Sequence, residues 1–424
     1  EGPSAEGHLF FPTFSFTRLT PNEMSFFWSD LTDVASSDIG GKVLFATDDW
    51  FARCEYLISP NPPVFDPNAF TPFGKLMDGW ETRRKRQAGH DWCIIELAAP
   101  SRVYGFEVDT AFFTGNQSPR ISVQAIALRS KDVPTLTTMR TSFTGDFTGK
   151  EGGFAADQSQ LDAVNVLKSE EWTELLPMSA LKPGYPDTRL HQFTSVLPTN
   201  GIVPVVTHLR INMFPDGGVA RLRVRGEIVR ELEPAALVDV AAASNGGAAL
   251  GSSNAHYGRA SNLIAPGRSQ RMDQGWETAR NPNRPPVLTI SAETGMLDLP
   301  PSMAEWALIR LATPSLIHRV EIDTDHFKGN CPEAMELEFV NIDTTEISRP
   351  NELQIVSDNT TWSPLLLKRT RLVPDSQHFY TVEEGHLQSN VTATHVRVRM
   401  YPDGGIARLR ILAKPTTTSG GSKM

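Results

Sequence analysis

The chain has 424 residues, 40 Lys and Arg against 49 Asp and Glu, and a formal charge of −9. At about 100–200 residues per domain this length allows two to four domains, and 40% hydrophobic with 21% charged residues is a globular mixture rather than a disordered one. The acidic balance argues against binding to a nucleic-acid backbone, and no apolar run approaches the roughly 18 residues of a membrane helix.

The opening residues, EGPSAEGHLFFP, lack the basic start and apolar core of a secretory signal. Cys54, Cys93 and Cys331 have no metal-like spacing and read as small buried hydrophobes in a reducing compartment. The first strong block is MDGWETRR at 77–84. WCIIELAAPSRVYG (92–105) follows, a short apolar run broken at Pro100, and then FEVDTAFFTGN (106–116). Residues 130–170 are rich in Thr, Gly, Asp and Ser and read as an inserted surface loop. In THLRINMFPDGGVARLRV (207–224), Leu209, Ile211 and Met213 alternate with His208, Arg210 and Asn212. That period of two predicts a half-buried strand, and PDGG predicts a tight turn into a second strand. ELEPAALVDVAAA near 231–243 reads as a helix or a linker.

After this point the same blocks return in the same order. MDQGWETAR (272–280) matches the first, WALIRLATPSLIHR (306–319) and VEIDTDHFKGN (320–330) match the next two, and THVRVRMYPDGGIARLRI (394–411) matches the last at twelve of eighteen positions. The chain is an internal duplication, with copies over 1–232 and 233–424. Many short strands, frequent turns, 31 Pro and few helical patterns predict an all-β protein of two tandem β-sandwich, jelly-roll domains.

The duplicated residues are polar as well as apolar: GWET, D-T-x-x-F-x-G-N and P-D-G-G-x-A-R-L-R stand in both halves. In this order and in two copies, from about residue 30 to 413, they resemble the allantoicase family. The resemblance implies two jelly-roll repeats related to galactose-binding and discoidin-like sandwiches. It also implies hydrolysis of allantoate to ureidoglycolate and urea in purine breakdown. Such a reaction must hold a carboxylate, protonate a departing urea and deliver water.

Arg suits the first task through its planar, permanently charged fork, and Arg84, Arg280, Arg221 and Arg408 are the expected carboxylate binders. Asn116, Asn330, Glu81 and Asp109 are expected to meet the ureido groups. His326 is the expected acid, beside Asp323, with Glu277 and Glu333 as further acid–base candidates in the second copy. Trp80 and Trp276 read as core residues, and His208 and His395 as structural. No cysteine pair or HExxH is present, but a site rich in Asp and Glu is compatible with Mn²⁺ or Mg²⁺. A competing reading is a non-enzymatic tandem carbohydrate- or small-ligand-binding sandwich. Homo-oligomerisation is expected from symmetry in general, with no nucleic-acid or membrane partner. The last residues, Ser422, Lys423 and Met424, read as a peroxisomal address of the S-K-L type, with the cytoplasm as the alternative.

Overall fold

The computed structural model describes residues 28–129, 153–196, 203–234, 236–343, 349–357 and 362–416. The first repeat is built on β1 (Lys42–Ala46), β2 (Asp91–Asp109), β3 (Arg120–Ile126), β4 (Thr173–Ala180), β5 (Leu190–Thr194), β6 (Val205–Phe214) and β7 (Arg221–Ile228). The second repeats it with β8 (Ala248–Ser252), β9 (Glu305–Asp323), β10 (Ala334–Val340), β11 (Ser363–Arg371), β12 (Gln377–Thr381), β13 (Thr392–Tyr401) and β14 (Arg408–Pro415).

The 19-residue strand β2 explains how one chain makes two layers. Its first part pairs with β1 and β6, and residues 101–109 pair with β5 and β7. The step between them falls at Ala98–Pro100, where proline removes a ladder donor. One sheet therefore runs β1–β2–β6–β3–β4, and the other β5–β2–β7 with Thr32–Asp33 at its edge. The strand β9 bends in the same way between Arg310 and Ser315 and serves both sheets of the second repeat. Each repeat encloses its own core. Ile95, Phe106, Val123, Ile211 and Leu222 are buried in the first, and Ile309, Val320, Leu337, Val398 and Leu409 in the second.

Two expectations need correction. The polar residues of β6, His208, Arg210 and Asn212, are buried, not solvated. The inserted segment covers Arg210, whose Nη1 donates to Ser169 Oγ at 2.7 Å and whose guanidinium lies 4.0 Å over the Trp92 ring, while Asn212 is held by Arg210, His90, Ser122 and Gln124. The described part of that insertion is not a loop throughout. It holds helix α1 (Gln158–Asn165), started by a capping box between Asp157 and Gln160, with Val164 and Trp172 buried against Phe45 and Ile94. The remainder, 130–152, lies outside the described residues, as do Ser422, Lys423 and Met424. The stretch 231–243, read as a helix or a linker, is a linker that enters the edge strand Val238–Asp239.

The repeats meet through Trp28, Leu31 and Tyr104 packed against Leu250, Leu308 and Val356. Two charge pairs cross the seam, Arg310–Glu227 at 2.9 Å and Arg259–Glu107 at 3.4 Å.

Candidate functional site

At one end of each sandwich three duplicated turns converge, and PDGG is the rail that joins them. In the first repeat Pro215 O accepts from Asp91 N at 3.0 Å, and Gly217 O accepts from Thr82 N at 3.0 Å. Asp216 Oδ2 accepts from Lys85 N at 2.7 Å. Gly218 pairs with Glu81 in a two-stranded ladder and donates to Asn116 O at 2.8 Å. The second repeat repeats the frame: Asp403 Oδ2 takes Asn281 N, Gly404 O takes Thr278 N, and Gly405 pairs with Glu277 and donates to Asn330 O. Gly218 has to be glycine because a Cβ there would stand 2.0 Å from the Phe113 ring, and Gly405 meets Phe327 in the same way. Both X-Pro bonds, Phe214-Pro215 and Tyr401-Pro402, are cis.

The frame carries a carboxylate. Glu81 is 9% exposed and its Oε1 accepts from Asn116 Nδ2 at 2.6 Å, while Asn116 itself is exposed. Burial, only partly offset by the Asn116 amide, pushes the Glu81 carboxyl up to about 7. Glu277 is buried likewise and accepts from Asn330 Nδ2. Glu81 with Asn116, and Glu277 with Asn330, each expected singly at the site, are thus brought together in both repeats. Arg84 and Arg280 follow three residues after Glu81 and Glu277, exposed, with no hydrogen bond or ion pair among the described residues.

Other expected site residues are engaged in structure. Arg221 is buried and donates to Asn61 O, Asp78 O, Ala220 O and Asp78 Oδ1. Arg408 donates to the carbonyls of Gly267, Gln274 and Ala407. Burial pulls both guanidinium groups down, Arg408 to about 10. Their N–H contacts, four for Arg221 and three for Arg408, anchor the loops before GWE, so holding a substrate carboxylate would undo them. Asp109 and Asp323 cap the turns after their strands, accepting from Ala111 N and Asp325 N at 2.8 Å. Asp323 also takes Arg268 at 2.7 Å. Asp109 lies 3.5 Å from Arg189, and burial raises its carboxyl.

His326 is not assembled with Glu277. Its Nε2 lies 3.0 Å from Ser269 O, which makes this nitrogen the donor, and its backbone φ of 73° places it as a turn residue. Its counterpart Phe112 has φ 70° and stacks on Phe65. Glu333 is taken by Arg371 at 3.1 Å on the neighbouring strand. Trp80 and Trp276 are fully buried and donate to Asp48 O and Asn254 O at 2.8 Å. His208 is buried without a partner for Nε2, and burial lowers it to about 4. Among the described residues no three His, Cys, Asp or Glu side chains converge to hold Mn²⁺ or Mg²⁺. The reading of residues missed Thr82, Thr278, Asp216 and Asp403 as frame members. Their signal was present, since GWET and PDGG are duplicated as whole motifs.

Fold and frame define the class: a tandem jelly-roll protein with one buried, Asn-capped glutamate at the same end of each repeat. The family model described as Allantoicase repeat matches residues 32–229 and 238–416. The chain is 36% identical over 382 residues to a probable allantoicase 2 of Burkholderia pseudomallei, covering 89% of this chain and 93% of that protein. It is 34% identical over 399 residues to a probable allantoicase of Ralstonia nicotianae, covering 93% and 95%. The crystal structure of allantoicase from Saccharomyces cerevisiae superposes with a TM-score of 0.61 at 29% identity, covering 93% of this chain and 98% of that one. The chain belongs to the allantoicase family.

Proposed function

We propose that the chain is a hydrolase that cleaves allantoate to ureidoglycolate and urea, with Glu81 of the first repeat as its acid–base group. The observation that carries the reading is a carboxyl buried under an exposed Asn116 and poised at about 7, the range in which one group both gives and takes a proton. Family membership favours this over a ligand-binding sandwich without catalysis.

In the mechanism, Arg84 takes the substrate carboxylate in its fork. Asn116 offers an amide to a ureido arm. The Glu81 carboxylic acid gives its proton to the departing ureido nitrogen as that C–N bond breaks, and the remaining nitrogen supplies the electron pair that forms a C=N⁺ intermediate. Water then adds to this carbon and returns one proton to the Glu81 carboxylate. Allantoate and water are consumed, and ureidoglycolate and urea leave, with the enzyme unchanged.

The test is urea release from allantoate by chelator-treated protein, with and without added Mn²⁺ or Mg²⁺, before and after Glu81→Gln. Urea from the parent and a loss of about 10²–10⁴-fold in kcat for the folded variant support the reading. No urea from folded protein under any of these conditions overturns it. A homo-oligomeric state is proposed alongside, to be read from scattering mass.

A further inference from the structure

We infer that the second repeat is itself a binding site for the same chemical class, a small carboxylate bearing a ureido group, so that each chain takes two ligands. The inference rests on reading Glu81, Asn116 and Arg84 as the ligand-contacting residues of the first repeat.

Three observations carry it. Glu277 repeats every contact of Glu81: it pairs with the second glycine of its turn and accepts from an Asn side chain whose carbonyl that glycine also binds. A fold has little use for this. Burying a carboxylate on one amide partner is costly, and a neutral glutamine in the same place would hold the asparagine as well. Nor does Glu277 draw on a cation for compensation: the guanidinium three residues on, Arg280, is exposed with no partner among the described residues. A buried acceptor followed three residues on by an exposed, unengaged fork suits a ligand with N–H groups at one end and a carboxylate at the other.

The surroundings differ between repeats, which predicts unequal binding. Lys85 paired to the fully buried Asp91 in the first repeat becomes Asn281, whose amide donates to Glu305 at 3.0 Å. Arg83 paired to Asp48 becomes Ala279, whose backbone N–H donates to Asn254 Oδ1. The Arg83–Asp48 pair is thus lost as a pair, while Lys85 is lost opposite an acid that Glu305 keeps, so the neighbourhood of the second site is more negative by one charge and should hold an anion more weakly.

The experiment uses the full chain and N-carbamoylglycine, which has one carboxylate and one ureido group on a carbon with no second nitrogen to expel urea. Titration calorimetry is expected to give two ligands per chain with unequal affinities. Arg280→Ala should remove the weaker one, and the isosteric Glu277→Gln should weaken it at least about tenfold, a loss worth about 1.4 kcal/mol. A melting curve for each variant separates lost binding from lost folding. One ligand per chain in the parent protein, two unchanged in Arg280→Ala, or no saturable binding overturns the inference. If allantoate still yields urea while only one N-carbamoylglycine binds, this inference falls and the catalytic reading stands. If neither urea nor binding is seen, both fall.

Discussion

Glu81 and His208 are buried titratable groups whose shifts run in opposite senses. The folded carboxyl of Glu81 is raised to about 7 from 4.5, so the native chain binds the extra proton between those values. Its contribution to stability is complete below about 4.5 and is lost as the pH rises through 7. The bound is about 3 kcal/mol, from 1.36 kcal/mol per pKa unit. His208 is depressed to about 4 from 6.5, so its contribution is complete above 6.5 and is lost as the pH falls through 4. Between pH 5 and 6.5 the two terms oppose one another, so stability in Glu81→Gln should rise more steeply with pH than in the parent, and an unchanged slope would refute the raised carboxyl. Arg84→Ala should raise KM for allantoate by about tenfold or more with a smaller change in kcat, because its fork binds the substrate carboxylate before and during the reaction. A fall in kcat alone would count against that role.

At the scale of elements, the site depends on how closely the turn PDGG approaches the strand Trp80–Glu81. Phe113 fills the gap between Gly79 and Gly218, and a methyl group at either glycine would enter its ring. Gly218→Ala should cost about 1–3 kcal/mol or more in a urea melt and depress urea release beyond what the lost stability explains, since Glu81 is paired to residue 218. The GWET and PDGG motifs were legible in the sequence as duplicated blocks, and their strands followed from alternation. That His208, Arg210 and Asn212 are buried was not legible. Alternation shows which residues share a face, whereas the cover over Arg210 comes from residues 153–172, brought there by long-range packing. The roles of Arg221 and Arg408 were hidden for a related reason. An arginine after a turn has the right chemistry for an anion, and only the folded position of Asn61, Asp78, Gly267 and Gln274 shows that backbone carbonyls already occupy it.

Across the whole molecule, Arg310 is a buried charge that ties the repeats together. It reaches Glu227 of the first repeat at 2.9 Å and Glu352 of helix α2 (Arg349–Ser357) at 3.0 Å, and Glu352 also contacts His395 at 3.1 Å. Removing one member of a buried network leaves the others uncompensated, which typically costs about 3–5 kcal/mol. Arg310→Met should lower the melting temperature and split a single calorimetric transition into two, one per repeat. A single unshifted transition would show that the apolar contacts of Trp28 and Tyr104 hold the seam without it.

By itself the sequence determined the duplication, the all-β class, the family resemblance and the motifs from which the site is made. These are written in local periodicity and in identical blocks, which need no knowledge of distant contacts. The tertiary structure decided which polar residues are engaged in the fold and which stand open. It set Arg221, Asp109 and His326 in structural bonds, left Arg84 and Arg280 exposed, and placed Glu81 beneath Asn116. The physical reason is that the reactivity of a carboxyl depends on its desolvation and its hydrogen-bond partners, and those are supplied by residues far away in the chain.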